Sequence, residues 1–109
     1  TTVEGAIFLS PFFAADPADN VASFVAAYEA AYNATPDQFA ADAYDGIYTI
    51  KAAMEQAGSI ESADLIAAMT EIKVDGLTGD GITWTADGEP NKGSKFIQIV
   101  DGAYTLYEE

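Results

Sequence analysis

Phe39, Ala43, Ile47, Ile50, Met54 and Ala57 recur at steps of four and three residues, the spacing that puts them on one face of a helix. Asp42, Asp45, Tyr48 and Glu55 fall away from that stripe. Thr35 can cap the first turn, with Gln38 three residues on as a capping box requires, and Pro36 suits the first helical position. Gly58 can close the far end in a left-handed conformation. The pattern predicts a helix over 35–58, packed on a core through its apolar stripe. Val21, Phe24, Val25, Tyr28 and Tyr32 predict an earlier helix, capped by Asp19 or Asn20. Leu65, Ile66, Met69 and Ile72 predict a third, capped by Ser62.

Strand signals flank these helices. The continuous apolar run Ala6-Ile7-Phe8-Leu9, within 3–9, fits a strand buried on both faces, as in a parallel sheet. Ser10-Pro11 ends it, because proline cannot donate to a ladder. Phe12 and Phe13 follow in a loop, as core anchors or as the lining of a cleft. The glycine-rich 75–81 stretch reads as turn chemistry, since it lacks the lysine of a phosphate loop and the Asp spacing of a calcium loop. Ile82 to Thr85 reads as a short strand. Lys95–Val100 and Ala103–Tyr107 read as a hairpin joined by Asp101-Gly102. Strand, three helices, strand and hairpin in that order predict an α/β unit.

The 109 residues suffice for one small domain, and half of them are hydrophobic, so a core is possible. A formal net charge of −14, with four Lys plus Arg, disfavours nucleic acid and anionic membranes as partners. It suits solubility, or neutral and cationic ligands. The chain has no cysteine, hence no disulfide framework, and no histidine, which removes the commonest general base and transition-metal ligand. No apolar run approaches the roughly 20 residues of a membrane span. The abrupt start, without methionine or signal peptide, reads as a fragment or a processed product.

The carboxylates are numerous; Asp42 and Asp45, three apart on one helix, could be a pair for acid–base chemistry or two metal ligands, and the plainer reading is a solvated helix face. No nucleophile motif, zinc spacing or cofactor fingerprint accompanies them, so no cofactor and no metal is expected. Taken alone, the residues describe an acidic, non-catalytic α/β unit with an aromatic-rich loop.

The order of several short segments goes further. Val3 to Pro11, Phe24 to Tyr32 followed by Pro36, and Ala43-Tyr44-Asp45-Gly46 come first. Gly76 to Gly79, Ile82-Thr83-Trp84, Asp87-Gly88, Lys92-Gly93 and Asp101-Gly102 close the series. Together they resemble the C-terminal third of type I solute-binding proteins of ABC transporters, in the branch that binds leucine, isoleucine and valine. Ala-Tyr-Asp-Gly departs from that family's Ala-Tyr-Asp-Ala at Gly46.

The resemblance implies a two-lobed α/β protein that holds a solute in the cleft between its lobes. Residues 1–10 and 95–109 would belong to one lobe and 14–91 to the other. Ser10, Pro11 and Lys95 would lie in hinge crossings. Phe39 matches an aromatic that lines the ligand's side-chain pocket, with Tyr44, Phe12 and Phe13 as further ligand-binding candidates. The residues that read an amino acid's carboxylate and amine would lie outside this chain. The implied function is non-catalytic capture of an amino acid or amide for an ABC importer. Its partners would be the branched-chain or related solute and the transporter permease, without nucleic acid. The implied place is periplasmic or extracellular, with a lipid anchor in an upstream segment. The chain alone would either self-associate or survive only as a remnant of a cleaved protein. Two other readings are a ligand-sensing domain of a receptor or regulator, and an acidic hydrolase using Asp42 and Asp45.

Overall fold

The chain runs β1 (Ile7–Ser10), α1 (Asp19–Tyr32), α2 (Gln38–Ala57), α3 (Ser62–Met69), β2 (Val74–Gly76), β3 (Gly79–Ile82), β4 (Lys95–Val100) and β5 (Ala103–Leu106). This is a computed structural model, and it describes residues 2–108. Thr1 and Glu109, the outer limits of the expected domain, lie outside the described residues. The chain divides into two units, Thr1–Ala41 with Gly93–Glu109, and Asp42–Lys92. The division falls inside the second turn of α2.

In the first unit, β1, β4 and β5 form an antiparallel sheet in that order. Leu9 sits opposite Phe96, and Phe8 opposite Ile97, which faces Leu106 on its other side. Ile97, in the central strand β4, is fully buried. The expected parallel-sheet burial of the 6–9 run is corrected: β1 pairs antiparallel with β4, and Ile7, Phe8 and Leu9 all remain exposed. The predicted hairpin is present, with Asp101 at φ 51° and Gly102 at φ 77°, the left-handed pair that a tight two-residue turn requires. Phe12, Phe13 and Val21 are buried, and Phe12 meets Phe24 edge to face at 6.0 Å. Phe24, Tyr28 and Tyr32 continue the row of rings along α1, at 5.8 and 4.7 Å.

In the second unit, Ala53, Ala68, Ile72 and Val74 form the core, with Leu65, Met69 and Trp84 packed against it. The 75–81 stretch, expected as a loop, is mostly strand: β2 and β3 pair antiparallel around a Leu77-Thr78 tip. The strand expected over 82–85 keeps only Ile82, while Trp84 forms an isolated bridge with Pro90.

The helix ends also differ from expectation. Asp37, not Thr35, caps α2, accepting the Ala40 N–H at 2.9 Å; the Thr35 hydroxyl instead donates to Glu29 at 3.0 Å. A carboxylate nearer the first turn displaces the capping box. Gly58 closes the helix as predicted, at φ 62° with its N–H on the Met54 carbonyl. Ala18 and Glu61 occupy the caps of α1 and α3 without side-chain bonds, so Asp19 and Ser62 lie one residue inside. The predicted stripe of α2 is not its packed face either. Asp45, Thr49 and Ala53 are buried, whereas Ile47, Ile50 and Met54 stay open to solvent. The reason is Asp45, whose buried carboxylate turns that side of the helix toward the β2–β3 tip.

Candidate functional site

The residues expected at hinge crossings converge in the first unit. Ser10 ends β1 directly opposite Lys95, which begins β4. Its buried hydroxyl donates to the Phe12 carbonyl at 2.6 Å and accepts the Phe12 N–H at 3.3 Å, so the chain folds tightly around Pro11. The Gln38 side-chain amide oxygen lies 3.2 Å from the same hydroxyl, tying the start of α2 to the end of β1. Lys95 is paired with the Asp16 carboxylate, and its ammonium also lies 5.9 Å from the centre of the Phe13 ring. The Asp16 side chain is 11% exposed and that of Lys95 41%. Burial works to raise the Asp16 pKa, but the Lys95 hydrogen bond, the Ala18 N–H and the Lys95 charge outweigh it and hold the carboxyl below its ordinary value.

Phe12 and Phe13 are thus ring anchors of this unit. Phe39, one residue past Gln38, is 72% exposed. Among the described residues it packs in no buried core. Asp16 and Gln38 carry the geometry here, and neither was among the predicted site residues.

The second unit holds Tyr44 and both carboxylates of the candidate pair. Tyr44 is partly exposed and donates to the Tyr48 hydroxyl at 3.4 Å, with ring centroids 4.8 Å apart. The hydrogen bond to Tyr48, followed by burial and by the Tyr48 and Asp45 charges, raises the Tyr44 pKa, so the phenol stays neutral near pH 7. Asp42 pairs with Lys92 at 3.2 Å. Asp45 accepts the Leu77 N–H at 2.9 Å, the Thr78 N–H at 2.9 Å and the Thr78 hydroxyl at 2.7 Å. The two carboxylates therefore serve different structural partners and do not act as a hydrolase pair, which corrects that reading. Among the described residues no group of three or more side chains is placed to hold a metal ion, and no helix is long and apolar enough to cross a membrane.

The family described as periplasmic binding protein matches residues 1–103. Solved structures share the fold. A Rhodospirillum rubrum protein assigned to a branched-chain amino acid ABC transporter has a TM-score of 0.77 at 27% identity, over 96% of this chain and 31% of its own. A solute-binding protein of an ABC transporter from Rhodopseudomonas palustris BisB5, in complex with 3,4-dihydroxybenzoic acid, gives 0.79 at 26% identity, over 94% and 29%. A leucine-binding protein from Thermotoga maritima gives 0.79 at 22% identity, over 97% and 31%. The chain therefore spans about 30% of the length of these relatives. No curated protein matches it.

Proposed function

The chain belongs to the periplasmic binding protein family, with its type I α/β fold, and from that premise we propose that the protein captures a small organic solute for an ABC importer. The family consists of extracytoplasmic solute-binding proteins without catalytic activity. The match over residues 1–103 is the observation that carries the reading. The ligands of the relatives narrow it. Leucine and 3,4-dihydroxybenzoic acid share a carboxylate on a compact apolar body. The solute proposed here is of that class, with a branched-chain or related amino acid or its amide first.

Phe39 is proposed as an apolar wall for the body of the solute, since its ring is exposed at a helix start and has no core role in this chain. Tyr44 is the second proposed contact, through a neutral hydroxyl. Phe12 and Phe13 would act from beneath, by holding the 10–13 crossing. Ser10, Pro11 and Lys95 are proposed as hinge residues: the Ser10 bonds and the Lys95–Asp16 pair give that segment a fixed conformation about which lobes can close. In this proposal 1–10 and 95–109 belong to one lobe and 14–91 to the other. The permease of an ABC transporter is the proposed macromolecular partner, at the outer face of the membrane, and an upstream lipid anchor is the proposed attachment.

Calorimetry of the complete protein with leucine, isoleucine, valine, leucinamide and benzoate tests the reading. One of these should bind, and Phe39→Ala should weaken it about thirtyfold, the effect of about 2 kcal/mol lost at a buried aromatic contact. Absence of binding to the whole panel would reject the proposed solute class. Unchanged affinity in Phe39→Ala would remove Phe39 from the site.

A further inference from the structure

Phe39 is the second residue of α2, and its ring is mostly exposed, so its position depends on the backbone of the first turn. Helix ends fray unless something holds their free backbone groups. Asp37 does so locally: its carboxylate accepts the Ala40 N–H at 2.9 Å, and its carbonyl accepts the Ala41 N–H at 3.3 Å. Gln38 adds a long-range tie, to Ser10, 28 positions earlier. Ser10 is a firm end for it. It is buried at the end of β1, and its hydroxyl is bonded to both the N–H and the carbonyl of Phe12. All of these residues lie in the first unit.

The Ser10 hydroxyl has one hydrogen but two oxygens within reach, the Phe12 carbonyl at 2.6 Å and the Gln38 amide oxygen at 3.2 Å. The shorter contact takes the hydrogen. A half-turn of the Gln38 amide exchanges its oxygen for an N–H in the same place, which gives the longer contact a hydrogen of its own. Ser10 Oγ then donates once, to the Phe12 carbonyl, and accepts twice, from Phe12 N–H and from Gln38. That arrangement uses the full capacity of a hydroxyl.

We propose that Gln38 is a positioning residue for solute capture: its amide N–H donates to Ser10 Oγ, pins the first turn of α2 to the end of β1, and so fixes where the Phe39 ring stands. Gln38 acts through Phe39 and not by touching the solute. A wall that is set in place before binding has less freedom to lose when the solute arrives. This role deepens the reading of Phe39 as a pocket wall and rests on it.

Amide exchange on the complete protein, without solute, is the first test. Gln38→Met keeps the length of the side chain and removes the bond. Gln38→Glu keeps its shape but, ionised at pH 7, has no hydrogen to give. In both variants exchange at Ala40 and Ala41 should quicken about threefold to tenfold, the equivalent of one hydrogen bond, while the Ile97 amide keeps its rate. Wild-type rates in either variant would overturn the proposal, and so would quickening that extends to Ile97. Calorimetry with whichever member of the solute panel binds is the second test. Gln38→Met should weaken binding about threefold to tenfold, and should weaken it no further when Phe39→Ala is already present. An equal loss in both backgrounds would overturn the proposal, because Gln38 would then not act through Phe39. If no member of the panel binds, the solute class is rejected, and the exchange rates still decide whether Gln38 holds the turn.

Discussion

Among the described residues two hairpin tips are each gripped by a carboxylate, and they differ in where the carboxylate comes from. At the β4–β5 tip, Glu4 accepts the Asp101 N–H at 2.6 Å and the Gly102 N–H at 3.1 Å, in the open. At the β2–β3 tip, Asp45 accepts the Leu77 and Thr78 N–H groups and the Thr78 hydroxyl, with Asp45 4% exposed. The first turn stands on its own chemistry, since Asp101 and Gly102 both adopt the left-handed conformation those residue types favour. The second has no such support: neither Leu77 nor Thr78 is left-handed, and a register shift falls between Val74 and Gly76. Its shape is imposed from helix α2, more than 30 residues away. A local turn survives the loss of an external grip, and an imposed one does not.

The largest expected effect therefore belongs to Asp45→Ala. It leaves two backbone N–H groups and a buried hydroxyl without their acceptor, which should destabilise the second unit by about 3 kcal/mol or more. Trp84, the single tryptophan, packs on that unit's core and reports its urea transition by fluorescence. A midpoint within error of wild type would show that the tip holds itself.

Gly76→Ala approaches the same grip from the strand side. A Cβ at Gly76 would sit 2.6 to 2.8 Å from the Asp45 carboxylate, too close for any real contact. The helix or the hairpin must shift, and the expected loss is about 1–3 kcal/mol on the same Trp84 transition. If the two sites act through one grip, Gly76→Ala should cost much less in the Asp45→Ala background. Additive losses would separate them.

The same contrast explains what could be read from residues alone. The Asp101-Gly102 hairpin, the Gly58 helix end and the Val21–Tyr32 stripe were legible, because each is fixed by residues within a few positions of it. The β2–β3 hairpin was not, because its tip is set by Asp45, which by spacing alone fell on the solvent side of its helix. The packed face of α2 was misread for a related reason. Periodicity finds the apolar stripe but cannot tell which side the chain itself covers, and here Ile47, Ile50 and Met54 are left open. At the candidate site, the family pattern pointed to Ser10, Pro11, Lys95 and Phe39. Asp16 and Gln38 escaped, since a turn aspartate and a capping glutamine give no sign of their long-range partners.

Asp16 stands between the two grips in burial and should be intermediate in effect. Its carboxyl is held below its ordinary pKa, so its contribution is fully present above the unfolded-state value. That contribution fades as the pH falls through the lower folded value. Because Lys95 is 41% exposed, solvent screening limits the pair to about 1 kcal/mol or less. Asp16→Asn should remove that share of the acid sensitivity of the first unit, leaving its stability near pH 7 lower by the same small amount. Urea titrations between pH 2 and pH 7, on wild type and variant, measure it as the difference between two curves. Curves that stay parallel across this range would mean the pair contributes nothing to folding.

Glu4→Gln is the smallest and the sharpest of these tests, because it removes the charge from a grip while the turn beneath it keeps its own geometry. The glutamine oxygen can still accept one of the two N–H groups, and water can take the other, since Asp101 and Gly102 are exposed. Stability should change by no more than about 0.5 kcal/mol, the ordinary range for a surface substitution. The local readout is amide exchange at Asp101 and Gly102, which should quicken modestly while the Ile97 amide, deep in the sheet, keeps its protection. If Ile97 also loses protection, the hairpin depends on Glu4 as the other depends on Asp45. The difference between a turn that holds itself and one that is held would then disappear.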